Sequence, residues 1–176
     1  EIAPSIPETP VKEEVTQQKE ENKKEKEVFS SFVEGRMADI SQAPDEAFAG
    51  KLMGDGIVMF PTSNVIYAPA DVTIETVFPT KHALGLKTKA GTEILLHVGI
   101  DTVKLDGKGF NVFVNDGDKV KKGEKLMEVD LAFIKENAAS TAIPMVFTNL
   151  EENQKIIWIE KEKTEYKANE DAIEII

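Results

Sequence analysis

A chain of 176 residues, 41% of them hydrophobic, can bury one substantial core, and 32 acidic against 21 basic residues leave it at a net charge of −11. That balance, with no basic cluster beside aromatics, argues against a nucleic-acid or anionic-membrane surface and for a basic or neutral protein partner. No cysteine occurs, which excludes disulfides, thiolate chemistry and cysteine zinc sites and suits a reducing compartment.

The chain opens at Glu1, as expected of a piece cut from a longer protein. Residues 1–27, EIAPSIPETPVKEEVTQQKEENKKEKE, hold three prolines, eight glutamates and five lysines, with no glycine and no aromatic. This composition reads as a solvated linker whose coil would span roughly 30 Å. A surface helix from about Val11 is the alternative, so the expected organisation is a disordered or helical linker over 1–27 and one folded domain over 28–176.

From Gly50 onward, short runs rich in Val, Ile, Phe and Tyr alternate with Gly, Asp, Asn and Pro: GIVMF, VIYAPA, VTIETVF, ALGL, EILLHVGI, FNVFV, EKLMEV, PMVFTNL and KIIWIE. These are strand signals. One stretch, DLAFIKENAAS, has helical spacing, with Asp130 placed to cap it. Closely spaced strands with so little helix predict an all-β fold, an antiparallel β-sandwich or barrel with short helical turns. MGDG at 53–56 and GKG at 107–109 read as turns, because no helix opening on Lys-Ser/Thr follows them. Trp158, inside IIWIE, reads as packing.

The only two histidines, His82 and His97, end the segment HALGLKTKAGTEILLH. As a hairpin with a four-residue loop, Thr88–Gly91, it would set His82 opposite His97. A two-residue loop, Ala90–Gly91, would set His97 opposite Leu84. Either register predicts adjacent imidazoles on one face, with β-carbons about 4.5–8 Å apart. Such a pair can supply a nucleophile, metal ligands, a proton shuttle or a hydrogen-bonded wall. Zinc would need a carboxylate or a ligand from a partner, since neither a third histidine nor a cysteine is available. No serine lies in a nucleophile-elbow motif, and no GxxxxGK[ST] phosphate loop is present.

FPTKHALGL followed by ILLHVGIDTV strongly resembles the glucose-type IIA domain of the bacterial phosphoenolpyruvate-dependent sugar phosphotransferase system. GKLMGDGIVMFPT, LDGKGFNVFVNDGDKVKKGEKLMEVDL and STAIPMVFTNL resemble further stretches of that family, in order, from about Pro44 to Leu150. The resemblance implies a phosphohistidine relay without nucleotide, metal or other cofactor. It assigns His97 as phosphoryl acceptor, His82 as the histidine that stabilises and helps transfer the group, and Thr80 as the residue orienting His82. Asp45 and Asp101 would face basic residues of the donor. Phe48, Leu52, Met53, Phe78 and Val98 would form the apolar docking surface. Glu46 and Ala47 depart from the valine pair often found before the phenylalanine in this family. Bottom-up chemistry fits: with Nδ1 of His97 bonded to a carbonyl, such as that of Gly99, Nε2 keeps a free lone pair. Gly99 reads either as a site of close backbone approach or as an ordinary bulge glycine.

The implied partners are the phosphocarrier protein HPr as donor and a IIB-domain cysteine as acceptor. That cysteine must lie elsewhere, and the charged linker suits a domain tethered to a IIBC sugar permease on the cytoplasmic side. Two other classes are weighed against this one. VNDGDKVKKGEKLMEVD is similar to biotinyl and lipoyl carrier domains, but MEVDLAFI stands where their acceptor lysine would be. A zinc hydrolase would be recognised by bound zinc.

Overall fold

The structure is a computed structural model that describes residues 26–176. The linker and helix readings of the first 25 residues lie outside it. In chain order the strands are β1 (Glu27–Ser30), β2 (Gly35–Asp39), β3 (Asp55–Pro61), β4 (Val65–Tyr67), β5 (Val72–Val77), β6 (Ala83–Thr88) and β7 (Glu93–His97), followed by β8 (Phe110–Val112), β9 (Lys119–Val120), β10 (Lys125–Val129), β11 (Ile143–Phe147), β12 (Ile156–Trp158), β13 (Glu165–Tyr166) and β14 (Asp171–Ile175). Helix α1 (Glu46–Ala49) precedes β3, and α2 (Leu131–Asn137) precedes β11.

An eight-stranded sheet runs β13-β2-β3-β11-β7-β6-β5-β9, flanked by two three-stranded sheets, β1-β14-β12 and β4-β10-β8. Every strand pairing is antiparallel. The expected all-β antiparallel architecture is therefore present. α2 forms where its spacing predicts, capped by Asp130, whose carboxylate accepts from Phe133 N at 3.1 Å. No helix among the described residues is long and apolar enough to cross a membrane.

The continuous apolar runs have a physical cause: the middle of the large sheet is covered on both faces. Ile57, Met59, Ile94, Leu96, Met145 and Phe147 enter the main core, while Val58 and Val146 on alternate positions enter a smaller cluster with Ile40, Phe48 and Ile100. Half-buried Leu95 packs against that second cluster. The catalytic candidates lie on this second face.

Three expectations need correction. Glu27 is not linker: it pairs with Ile175, and its carboxylate accepts hydrogen bonds from the Thr88 and Thr92 hydroxyls. Strands β1, β2, β9, β13 and β14 were not anticipated. Their partners lie far off in sequence, as when Val28 pairs with Glu174, and short runs such as GRMAD and DAIEI carry little local strand signal.

The β6–β7 hairpin follows neither predicted register. Ala83 faces His97 and Lys87 faces Glu93. The connection is a three-residue loop, Lys89–Gly91, closed by Gly91 N to Thr88 O at 3.0 Å and Thr88 N to Thr92 O at 2.9 Å, with Gly91 at φ 94°. A one-residue shift matters because it exchanges faces. His82 now falls opposite Val98, whose N donates to His82 O at 2.7 Å. Simple alternation would then send His82 to the main core with Leu84 and Leu86, away from His97.

Candidate functional site

Both histidines sit where regular strand geometry stops. β6 begins only at Ala83. Before it, Lys81 takes the left-handed conformation at φ 59°, and its N donates to Phe78 O at 2.7 Å. This turn redirects the His82 side chain to the second face. After β7 the chain turns again at Gly99, φ 79°, and Asp101, φ 62°. The sequence-level conclusion of adjacent imidazoles thus holds, but for a different reason from the one that predicted it.

Four rings follow one another: Phe48, His97, His82 and Phe78. Ring centroids are 5.0 Å apart for Phe48–His97, 4.9 Å for His97–His82 and 5.7 Å for His82–Phe78. The two imidazoles stand edge to face, at 78°. His82 is buried and His97 half-buried.

Their outer nitrogens have different partners. His97 Nδ1 lies 2.7 Å from Gly99 O. A carbonyl only accepts, so Nδ1 carries the proton and Nε2 keeps the lone pair. His82 Nδ1 lies 2.6 Å from Thr80 Oγ1. A hydroxyl can donate, which permits the opposite tautomer with Nε2 as an N–H donor. Burial lowers the pKa of both from the ordinary 6.5. For His97 the bond to Gly99 opposes the shift, the neighbouring His82 adds to it, and Asp45 opposes it. Both rings are therefore neutral at pH 7, as a nucleophilic imidazole must be.

Thr102, which the sequence reading passed over, holds this arrangement together. It is fully buried, and its hydroxyl donates to Val98 O at 2.7 Å. Ile100 N donates to Ser140 O at 2.9 Å, fixing the other side of the turn. A Cβ on Gly99 would meet Thr102 Cγ2 at 2.5 Å, so Gly99 is a position of close approach as well as of positive φ. The signal that could have found Thr102 is a threonine inside an otherwise apolar, turn-terminated run, a common setting for side-chain-to-backbone bonds.

The docking candidates divide. Leu52 is 81% exposed and Met53 37% exposed, and half-buried Phe78 lies at the ring row's end. Phe48 is buried and backs the His97 ring instead of presenting surface. Val98 is not at the surface at all: it is 1% exposed and belongs to the main core, because the residue after His97 points to the opposite face. Asp45 caps α1, accepting from Ala47 N at 2.8 Å, and its charge reaches His97. Asp101 is exposed and paired with Lys104 at 2.7 Å. Among the described residues no group of three or more His, Cys, Asp or Glu side chains is placed to hold a metal ion.

The family model of the phosphoenolpyruvate-dependent sugar phosphotransferase system, EIIA 1, matches residues 27–153. Among solved structures, glucose permease IIA from Mycoplasma capricolum is similar, with 35% identity and a TM-score of 0.79 over 86% of this chain and 96% of that one. The family match begins at Glu27, the first residue of β1.

Proposed function

Since this chain belongs to the EIIA 1 family of the phosphoenolpyruvate-dependent sugar phosphotransferase system, and is thereby a phosphocarrier, we propose that Nε2 of His97 is the atom that carries the phosphoryl group. The observation that supports this most is the pair of outer-nitrogen contacts, Gly99 O on His97 and Thr80 Oγ1 on His82. The first frees a lone pair; the second allows a donor beside it.

In the forward step, His97 Nε2 attacks phosphorus in line. The new N–P bond forms as the N–P bond of the donor, phospho-HPr, breaks, and the donor imidazole leaves with its electron pair. Gly99 O accepts the hydrogen bond from Nδ1–H and stabilises the positive charge that spreads into the ring. His82 Nε2–H donates to a phosphoryl oxygen, with Thr80 holding the ring. The buried rings and the apolar rim of Leu52, Met53 and Phe78 exclude water that would otherwise hydrolyse the product. In the second step a IIB-domain cysteine thiolate takes the group, and the relay ends on a sugar hydroxyl, which makes the chain one component of a sugar-phosphorylating transferase.

Exposed Asp101 and half-buried Asp45 steer a basic donor, an effect on encounter rate that salt weakens. The composition of the residues before Glu27 suits a tether to a IIBC permease on the cytoplasmic side, holding the domain at about millimolar local concentration.

The test is labelling with phosphoenolpyruvate, enzyme I and HPr. The wild type gains one alkali-stable, acid-labile phosphate, and His97→Ala gains none. Undiminished labelling of His97→Ala would overturn the assignment.

A further inference from the structure

An open cleft of about 590 Å³ lies away from the histidines. It lies between β2 and β12, with Met37, Ile156, Ile157 and Trp158 as its apolar lining. In the large sheet β2 is three strands from β7, about 14 Å away at ordinary strand spacing.

Two features of the cleft point to one kind of occupant. The first is hydrogen bonding. Among the described residues β12 is the last strand of its sheet and pairs only with β14. Lys155 and Ile176 exchange main-chain bonds at 2.9 and 3.0 Å, and Ile159 N donates to Ala172 O at 3.0 Å. Because antiparallel bonding alternates, the main-chain groups of Ile156 and Trp158 point away from β14, toward the unpaired side.

The second feature is charge. In a chain of net charge −11, the charged residues lining this cleft are Arg36, Lys161 and Lys163, with no carboxylate among them. Lys163 is held by Glu170 and, at 3.6 Å, Glu160. Arg36 instead lies over the Phe60 ring at 4.0 Å, and among the described residues neither it nor Lys161 has a carboxylate partner.

We propose that this cleft binds an extended peptide of alternating acidic and apolar residues, added as a further strand on the open edge of β12. Its main chain pairs with Ile156 and Trp158. Its apolar side chains enter between Met37 and Trp158, and its carboxylates meet Arg36 and Lys161. Trp and Arg are the residue types that most often anchor such contacts. The site is remote from His82 and His97, so a partner held here leaves the phosphoryl site open to its own partners.

The experiment titrates the ¹⁵N-labelled full chain with acetyl-Glu-Val-Glu-Ile-Glu-Val-amide up to about 5 mM, a range that detects weak strand addition. Expected are shifts confined to residues 36–38 and 156–164, slowed amide exchange at Ile156 and Trp158, and unmoved histidine signals. Lys161→Glu, an exposed change that leaves the fold intact, weakens binding about tenfold. A peptide N-methylated at alternate residues does not bind. No shifts, or equal shifts with lysines replacing the glutamates, would overturn the proposal. Equal shifts with hexanoate would make the cleft a small-ligand site, and concentration-dependent shifts in the free chain would make it a self-association surface; either outcome overturns it.

Discussion

The two ends of the β6–β7 hairpin are built from the same strands and obey different rules. At the loop end pairing is regular, Gly91 closes a three-residue turn, and the Thr88 and Thr92 hydroxyls bind Glu27. At the histidine end Lys81, Gly99 and Asp101 all take positive φ, pairing stops, and two neutral imidazoles meet. The loop end joins β1 to the hairpin. The other end breaks the strand alternation, and the break is what brings His82 to His97. Without it, the observed register would have separated the two rings.

With His97 intact, the largest effect on onward phosphoryl transfer is expected for His82→Gln. The variant still becomes phosphorylated at His97 but passes the group to a IIB cysteine about a hundredfold more slowly, corresponding to about 2–4 kcal/mol of transition-state stabilisation. Rapid-quench kinetics measure this step, and a wild-type rate would make His82 a wall residue.

The glycines sharpen the contrast, because Gly91 and Gly99 share a positive φ but not their surroundings. A Cβ on Gly91 meets nothing within 4 Å, whereas one on Gly99 meets Thr102 Cγ2 at 2.5 Å. Gly91→Ala therefore costs only the left-handed conformation, about 1–2 kcal/mol. Gly99→Ala adds overpacking, for a total of about 2–5 kcal/mol, and displaces the carbonyl that holds His97. Urea unfolding of the two variants gives the difference. Equal costs would show that the Thr102 contact does not constrain the turn.

The smallest effect is on acid stability, and its sign follows from burial. Both histidines have pKa values below 6.5 in the folded chain. As pH falls through about 6.5 the unfolded chain takes up protons first, so stability is complete above that pH and declines below it. Melting curves at pH 7 and 5.5 should show this decline in the wild type and a smaller one in His82→Gln/His97→Gln. An unchanged decline in the double variant would assign it to other groups.

Local pattern carried much of this molecule. IVMF in β3 and IPMVF in β11 announce central strands through unbroken apolar runs, and Asp130 announces its helix through capping chemistry. The two histidines stood out by being the only ones, and HVGIDTV carried the family resemblance. What local pattern did not carry was anything decided by long-range pairing. β1 exists because β14 lies beside it, and the hairpin register was missed because Thr88 and Thr92 close the turn as a pair, which either loop length alone leaves out. Val98 was misplaced because exposure depends on which face follows His97, and Thr102 was missed because its partner is a backbone carbonyl that no side-chain motif marks.

The central claim is that Gly99 O fixes the His97 tautomer and so directs phosphate to Nε2. Proton–nitrogen and phosphorus–nitrogen correlation spectra of the phosphorylated chain, with ¹⁵N-labelled histidine, read this directly. The account predicts phosphorus coupled to Nε2 of His97 with the proton retained on Nδ1. Phosphorus on Nδ1 of His97, or on either nitrogen of His82, would contradict it.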